Sequence, residues 1–519
     1  MTTSSAPTVE QLAAAAQERG GIDGRRADGA FFTDSDVAAH LVRRAIAARL
    51  LDELDVPDAS IEVQLARNAD LVAEVMRRAD ASRDERRRLA AAIESLSVVD
   101  PTCGAGSFLV ESWHVLLQLA AHLGATVSTR QLHGVDRSAD AIEACRETFA
   151  IIAPDQPMPV LQHADALDPG AVPAADVLVG NPPFVRASAD ERAADLHAAA
   201  VPNVSAWVVE RALAAARPGA RVAFVLPIST SCTDAFAPAR SHWERACDLV
   251  LTSHYDTIPS SLFRGVVQRL SIYEGRRRPA PHAATPARWY TSRYHRWTRD
   301  ERDTLLQQVR HVPLPEQHVA GSIAKIGTEV EARLLDRIFR HPPAGRFHAA
   351  SGDGANVIRY KRRWSYFLLF CDFVPGIWDA DGTPREPSEL KTIGIDPALD
   401  SRVLLAVYSS TLFWWYFSVF TDNRNVNRRD LAAFPLPDLS STIHSELADL
   451  GAQLMQALHR CAQVRTCTYR SVGTIRNTYF RQAATRPVLD RIDRVLARAY
   501  EMQDDELEFV LGFERRFRS

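Results

Sequence analysis

The chain has 519 residues, 46% of them hydrophobic and 24% charged, which is typical of a globular protein with two or three domains. No apolar run approaches the ~20 residues of a membrane-spanning helix, and the N-terminus lacks a basic segment followed by an apolar core, so we expect no membrane segment and no signal peptide. The formal charge of −3 conceals an asymmetry: residues 1–270 hold 25 basic and 35 acidic residues, whereas residues 271–519 hold 36 and 29, which favours a nucleic-acid surface in the second half.

The seven cysteines are scattered, odd in number and free of any Cys-x-x-Cys pattern. This distribution predicts reduced thiols of a cytoplasmic protein and argues against a zinc site.

The N-terminal segment, residues 1–95, is predicted to be mainly helical. Phe32 and Thr33 precede an amphipathic helix, which we expect Thr33 or Ser35 to cap. Residues 51–94 form a highly charged helical insertion to which the sequence assigns no chemistry.

A buried strand then ends at Asp100, followed by a loop with Cys103, Gly104 and Gly106 and by a helical run. Glycines allow a ligand to approach the backbone, and the start of a helix supplies unpaired N–H groups. The dinucleotide fingerprint is not completed, because Leu109 occupies its third glycine position. With an acid at the strand tip, the loop suits a ligand carrying an ammonium group better than a pyrophosphate.

The second parallel strand, residues 131–136, ends at Asp136 about thirty residues beyond this loop, where a carboxylate suits the ribose hydroxyls of a nucleoside. A third short strand, residues 158–161, leads into Asp165 and Ala166.

The stretch 176–184 carries the strongest chemical signal. A short aliphatic run predicts a buried strand, which must stop at Asn181 because Pro182 and Pro183 cannot donate to a sheet. The Asn181 side-chain carbonyl and the Pro182 backbone carbonyl could accept both hydrogens of an exocyclic amine, and Phe184 offers a face for stacking a base. The alternative is a plain strand end followed by a Pro-Pro turn.

Together, Asp-Pro-x-Cys-Gly-x-Gly-x-Phe and, about 75 residues later, Asn-Pro-Pro-Phe resemble the gamma-class N6-adenine DNA methyltransferases of restriction–modification and phage-defence systems. The resemblance implies an α/β fold with a Rossmann-like seven-stranded methyltransferase core, S-adenosylmethionine as cofactor, and double-stranded DNA as substrate. It also implies base flipping and no metal. The implied catalytic residues are Asn181, Pro182, Pro183 and Phe184; the implied cofactor residues are Phe32, Thr33, Asp100, Cys103, Gly104, Gly106, Asp136, Asp165 and Ala166.

Four segments are expected: the N-terminal segment 1–95 with a cofactor motif near 24–44, a core at 96–300, a mixed α/β target-recognition domain at 301–440, and a helical region at 441–519. Within the third, a helix at 401–420, a loop at 421–430 and Phe-Pro-Leu-Pro resemble the specificity domain of such enzymes. Asn and Arg on that loop could read base edges. Residues 288–297 interleave cations with aromatics, as either a packed edge or a nucleic-acid surface.

Several alternatives remain. A cytosine-N4 enzyme shares the fold, although it usually carries Ser where Asn181 stands. Ribosomal RNA guanine-amine methyltransferases and release-factor glutamine methyltransferases also use Asn-Pro-Pro-aromatic, and a DNA-binding specificity subunit with a degenerate core is a non-enzymatic option. No nuclease or helicase pattern is found, so any cleavage would belong to a separate restriction or defence subunit. We expect a cytoplasmic, nucleoid-associated bacterial protein.

Overall fold

The computed structural model describes residues 33–54, 56–187, 190, 193–263, 266–279, 285–316, 321–349, 356–362, 368–469 and 473–517. Two compact units are present. One comprises Met1–Leu314 with Ala320–Gly327, and the other comprises Pro315–Val319 with Thr328–Ser519.

The first unit is built on one large sheet. Its strands are β1 (Val98–Asp100), β2 (Leu132–Asp136), β3 (Val160–His163), β4 (Ala175–Gly180), β5 (Ala216–Pro227), β6 (Cys247–Tyr255), β7 (Leu270–Arg277), β8 (Arg288–His295) and β9 (His311–Pro313). In the described residues the order is β3-β2-β1-β4-β5-β7-β6-β8-β9. Strands β1 to β5 are parallel, while β7 runs antiparallel to both β5 and β6.

The helices of this unit cover the sheet. They are α1 (Ser35–Leu51), α2 (Asp58–Ala66), α3 (Leu71–Ala81), α4 (Arg83–Ser95), α5 (Ser107–Leu123), α6 (Ala139–Ile152), α7 (Val204–Ala215), α8 (Ser229–Cys232), α9 (Ala237–Ala246) and α10 (Arg302–Gln308). Successive strand residues face opposite sides, so Val98 joins the core beneath α1 and α5, while Val99 joins the core beneath α7 and α9. The result is a helix–sheet–helix sandwich.

The predicted α/β fold class is confirmed. The first seven strands in the order form a largely parallel sheet with an antiparallel β7, and they correspond to the seven-stranded core that the resemblance implies. Strands β8 and β9 extend it to nine strands. Tyr294, Arg296 and Trp297 are buried around the end of β8, as a packed edge requires, whereas Arg288 at its start is exposed.

The second unit mixes helices with two small sheets. Its helices are α11 (Glu329–Ile338), α12 (Ser401–Ser409), α13 (Thr411–Phe420), α14 (Arg428–Ala433), α15 (Ser441–Cys461), α16 (Arg486–Ala499) and α17 (Asp504–Gly512). Its strands are β10 (Val357–Lys361), β11 (Phe370–Cys371), β12 (Ile377–Asp379), β13 (Leu390–Gly394), β14 (Ala462–Tyr469) and β15 (Gly473–Phe480). The described sheets have the orders β11-β10-β13 and β12-β15-β14.

The prediction of one continuous helix at 401–420 is wrong. Ser410 interrupts it, because its hydroxyl accepts the Phe413 N–H at 3.0 Å and caps α13, and the two helices are bent by 63°. All ten side chains of α13 are buried, so its aromatic residues form core. No single described helix has the length and apolarity to cross a membrane, although this bent pair meets those two criteria together.

The expectation of a helical region at 441–519 is also wrong in part. Strands β14 and β15 form a hairpin between α15 and α16. The finer division into four segments stays a prediction.

Candidate functional site

The carboxyl ends of β1, β2 and β4 lie side by side at one edge of the sheet, because these strands are parallel neighbours. Asp100, Asp136 and Asn181 stand at or just after these three ends. The two motifs recognised in the sequence therefore meet at the crevice where open α/β sheets bind ligands.

The Gly-containing loop is held by the neighbouring strand. The Gly104 N–H donates to Asp136 Oδ2 at 2.9 Å, and the Ser138 N–H donates to Oδ1 of the same carboxylate at 2.8 Å. Gly106, with φ of +93°, occupies the N-cap position of α5, and a Cβ there would lie 2.6 Å from the Cys145 sulfur. A side chain at Gly106 would thus cause both strain and a clash.

Asp100 lies almost completely buried at the tip of β1, with 1% of its surface exposed. Burial raises the pKa of its carboxyl to about 8; the nearby Asp136 adds to the shift, and the Thr102 N–H donating at 3.0 Å opposes it. A Cβ at Gly180 would lie 2.8 Å from Asp100 Oδ1, so glycine at the end of β4 is what allows the two strand tips to meet.

Cys103 and the segment after β3 complete this side of the site. A hydrogen bond with Cys145, together with burial, raises the pKa of the Cys103 thiol, so this cysteine stays neutral and is a poor nucleophile. The Ala164 N–H donates to the Asp136 carbonyl at 3.0 Å, which brings Asp165 and the buried Ala166 beside β2. Burial raises the pKa of Asp136, and the nearby charge of Asp165 contributes to this shift.

The side chain of Asn181 is oriented by Thr33, a residue that precedes α1. Its Nδ2 donates to Thr33 Oγ1 at 3.1 Å, across 148 positions of sequence, and Thr33 is itself buried. With Nδ2 facing Thr33, the buried Oδ1 is the acceptor that the Asn181 amide offers. Sequence reasoning did not find this contact.

The start of α1 is fixed by a salt-bridged arginine. Arg302 contacts Asp34 at 3.2 Å and Asp36 at 2.5 Å, and these two carboxylates flank Ser35 just beyond Thr33. The prediction that Thr33 or Ser35 caps the helix is wrong, because Asp34 occupies the N-cap position and no side chain caps the helix. The Thr33 hydroxyl instead accepts a hydrogen bond from the Asn181 side chain. Phe32 lies outside the described residues.

The rest of the Asn-Pro-Pro-Phe motif is partly enclosed. Pro182 is buried, Pro183 and Phe184 are half-buried, and the Phe184 ring packs against the main core. The Val204 N–H donates to the Val185 carbonyl at 2.9 Å and ties the segment to α7. Phe184 therefore packs against the core and remains partly exposed.

The residues present fit a zwitterionic nucleoside cofactor. A Cβ at Gly104 would meet no atom within 4 Å, so there is open space above the loop, and the Thr102 hydroxyl is buried without a hydrogen-bond partner in the described structure. The Asp136 carboxylate accepts from the backbone of this loop, and the buried Asp100 carboxyl lies at the end of the neighbouring strand. The described residues contain no group of three or more His, Cys, Asp or Glu placed to hold a metal ion.

The loop at 421–430 in the second unit is braced internally. Asp422 accepts from the Arg424 and Asn425 N–H groups, Arg428 donates to the Ala349 carbonyl at 3.1 Å, and Arg429 pairs with Asp430 at 3.4 Å. All three arginines of this loop are nevertheless exposed.

Comparison with known proteins gives one family match. Residues 87–230 match the family model described as N-6 DNA Methylase. A search of curated proteins finds no significant match.

Solved structures give further similarities. The type IIL restriction-modification enzyme MmeI, solved in complex with DNA, is 12% identical; the match covers 98% of this chain and 81% of that chain, with a TM-score of 0.51. DrdV, solved as a DNA complex, is 11% identical over 98% of this chain and 71% of that chain, with a TM-score of 0.47. A protein from Listeria monocytogenes described as a class I S-adenosylmethionine-dependent methyltransferase is 17% identical over 49% of this chain and 90% of that chain, with a TM-score of 0.30.

The family match confirms the resemblance predicted from the two motifs, and the likeness to MmeI supports the fold. The matched residues include the Gly-containing loop, Asp136 and Asn181. Residues 87–230 of this chain are therefore similar to the N-6 DNA methylase family, and this segment contains both motifs. The roles of individual site residues stay predictions.

Replacing Asp100 with Asn tests the buried carboxyl. With a folded-state pKa of about 8 against an ordinary value of 3.8, the contribution of Asp100 to the free energy of unfolding should fall as pH rises between these values, because only the unfolded chain then ionises Asp100. Asp100→Asn cannot ionise, so it should match wild type near the low end and be more stable by about 1–4 kcal/mol at the high end. Urea unfolding at both pH values measures this difference, and a difference that does not change with pH would contradict it.

Thr33→Val tests the contact with Asn181. The valine keeps the shape but removes the acceptor of the Asn181 Nδ2, so kcat for DNA methylation should fall about tenfold while KM for the cofactor stays unchanged. Thr33→Ser retains the hydroxyl and should restore most of the rate. A raised cofactor KM with normal kcat would instead place Thr33 on the cofactor, as the family resemblance implies.

Proposed function

We propose that this protein is a site-specific methyltransferase that transfers a methyl group from S-adenosylmethionine to the N6 amine of adenine in double-stranded DNA, within a restriction–modification or phage-defence system. The observation that carries the proposal is the position of Asn181. It follows β4 directly, its amide is oriented by Thr33, and Gly180 brings it beside Asp100.

The residues at the carboxyl ends of β1 to β3 each bind a different part of the cofactor. Asp136 accepts from the ribose hydroxyls, because it stands at the tip of β2 and also holds the loop backbone through Gly104. The open face of that loop and Asp100 receive the ammonium end of the methionine part, because an adjacent cation lowers the raised pKa of the Asp100 carboxyl and favours its ionised form. Asp165 and Ala166 lie beside the adenine. When bound, the cofactor supplies an electrophilic methyl group on sulfur.

The Asn-Pro-Pro-Phe segment holds the base to be methylated. Asn181 Oδ1 and the Pro182 carbonyl accept the two hydrogens of the amine, which directs the nitrogen lone pair towards the methyl group. The accessible part of the Phe184 ring stacks on the base. Because Asn181 Oδ1 is buried at the carboxyl end of β4, a duplex adenine must leave the stack to reach it.

Rate acceleration then comes from positioning. The two prolines and the bond to Thr33 fix both acceptors before the substrate arrives, so no reorganisation is needed during transfer. Transfer would run in line from sulfur to nitrogen without a covalent enzyme intermediate. The S–CH3 bond would break as the N–CH3 bond forms, the amine would release one proton to solvent, and S-adenosylhomocysteine would leave.

Sequence recognition falls to the basic second half of the chain, and a separate restriction or defence subunit would supply any cleavage. These assignments rest on the charge asymmetry and on the resemblance of residues 401–437 to a specificity domain. A cytoplasmic, nucleoid-associated location in a bacterium follows from the same proposal.

Asn181→Ala tests the function. Losing one positioned acceptor should lower kcat at least ~100-fold, a cost of about 3 kcal/mol, while leaving cofactor affinity close to wild type. The measurement is mass spectrometry of nucleosides from unmethylated plasmid DNA incubated with either protein and labelled S-adenosylmethionine.

Wild type should yield labelled N6-methyladenine and the variant almost none. Label in N4-methylcytosine would change the substrate, and label in RNA or protein but not in DNA would refute the proposal. Wild-type turnover by Asn181→Ala would refute the role of this residue.

A further inference from the structure

The hairpin of β14 and β15 is a surface to which neither the motifs nor the proposed active site assigns a role. Its two strands have eight residues each and pair from Ala462 with Phe480 to Tyr469 with Gly473. At ~3.3 Å per residue, such a ribbon is roughly 26 Å long. The third strand, β12, pairs only with residues 475–477, and β14 is an edge strand.

The base of the hairpin is firmly attached. Phe480 is buried, and its ring lies 5.9 Å from the ring of Phe373, which in turn lies 4.2 Å from the ring of His459. The Thr478 N–H and hydroxyl both donate to the Gly376 carbonyl, at 2.9 and 3.0 Å. The ribbon therefore has a defined position within its unit.

Beyond this base, side chains on both faces of the ribbon are exposed. Residues 462–466 are all exposed, and so are Thr468, Arg476 and Tyr479. Only Val464 and Tyr479 among them are large apolar side chains open to solvent. A ribbon exposed on both faces adds little to the core, and its small apolar share does not match a protein–protein core or a lipid surface.

The hairpin and the residues that flank it in sequence carry only positive charge. Residues 450–489 contain no Asp or Glu, and they carry six arginines, at positions 460, 465, 470, 476, 481 and 486. Arg465, Arg476 and Arg481 are exposed, and none of them forms an ion pair with a carboxylate in the described part of the chain. On the neighbouring strand, Asp379 is already paired with Arg385 at 3.0 Å.

Two of these guanidinium groups are held over aromatic rings. Arg465 lies 3.7 Å from the centre of the Tyr479 ring, and Arg476 lies 6.0 Å from that of Trp378. Contacts of this kind orient a guanidinium without neutralising it. The hairpin thus displays uncompensated positive charge, and two of its guanidinium groups are oriented by aromatic rings.

We propose that the β14–β15 hairpin binds double-stranded DNA, with Arg465, Arg476 and Arg481 on the phosphates; this inference rests on DNA being the substrate. A two-stranded ribbon fits the major groove, and the exposed Thr and Gln side chains between the arginines can hydrogen-bond to DNA. Uncompensated arginines on a rigid ribbon suit a regular polyanion, because each phosphate contact releases condensed counterions.

The triple variant Arg465→Gln, Arg476→Gln, Arg481→Gln tests the proposal in the full-length protein. The matched control is Arg333→Gln, Arg340→Gln, Arg498→Gln, which removes the same charge from exposed arginines that are paired with Asp505, Asp336 and Glu446. Affinity for a random-sequence DNA duplex is measured over a range of salt concentrations, with thermal melting and methylation of unmethylated plasmid DNA measured in parallel.

The hairpin variant should melt like wild type and bind DNA more weakly, with the slope of log affinity against log salt reduced by about three units. The control should keep a slope close to wild type. Equal slopes in wild type and the hairpin variant would overturn the proposal, as would an equal loss in the control. If wild type itself neither binds nor methylates DNA, the proposed function fails; if it does both and only the hairpin prediction fails, the function stands.

Discussion

The site depends on the close approach of the β4 backbone to the buried Asp100 carboxylate. Only a glycine at position 180 permits this approach, because a Cβ there would lie 2.8 Å from Asp100 Oδ1. The approach places Asn181 beside the Gly-containing loop, and Thr33 then fixes its amide. The same burial that makes this junction possible raises the pKa of Asp100 to about 8, so the junction costs stability at neutral pH.

Much of this junction could be predicted from the sequence. Short aliphatic runs that end in Asp100, Asp136 and Asn181 mark three parallel strands, whose carboxyl ends meet at one edge. The contact between Thr33 and Asn181 could not be predicted, since it joins residues 148 positions apart and depends on how α1 packs across the sheet. Arg302 fixes that packing through its salt bridges with Asp34 and Asp36, and no local sequence pattern indicates these long-range ion pairs.

The sequence predicts the structure of the second unit less accurately than that of the first. The aromatic helix α13 is core, as its composition indicates, but the break at Ser410 depends on a cap that a continuous apolar pattern conceals. The β14–β15 hairpin does have a local signal, namely alternating Thr, Val and Tyr residues around Gly473. The many arginines, which are good helix formers, and the helical flanks obscured it. The uncompensated positive charge of this hairpin locates one specific basic surface within the second half of the chain.

Cofactor binding to Asp136→Asn tests most directly whether the edge of the sheet is one continuous site. Asn keeps the acceptor for the Ser138 N–H, but it loses both the acceptor for the Gly104 N–H and the charge that a ribose hydroxyl pair would contact. Titration calorimetry with S-adenosylhomocysteine should show a single site on wild type and an affinity weaker by about 1–2 kcal/mol in the variant. Equal affinities, or no binding to wild type, would contradict the assignment of this edge to the cofactor.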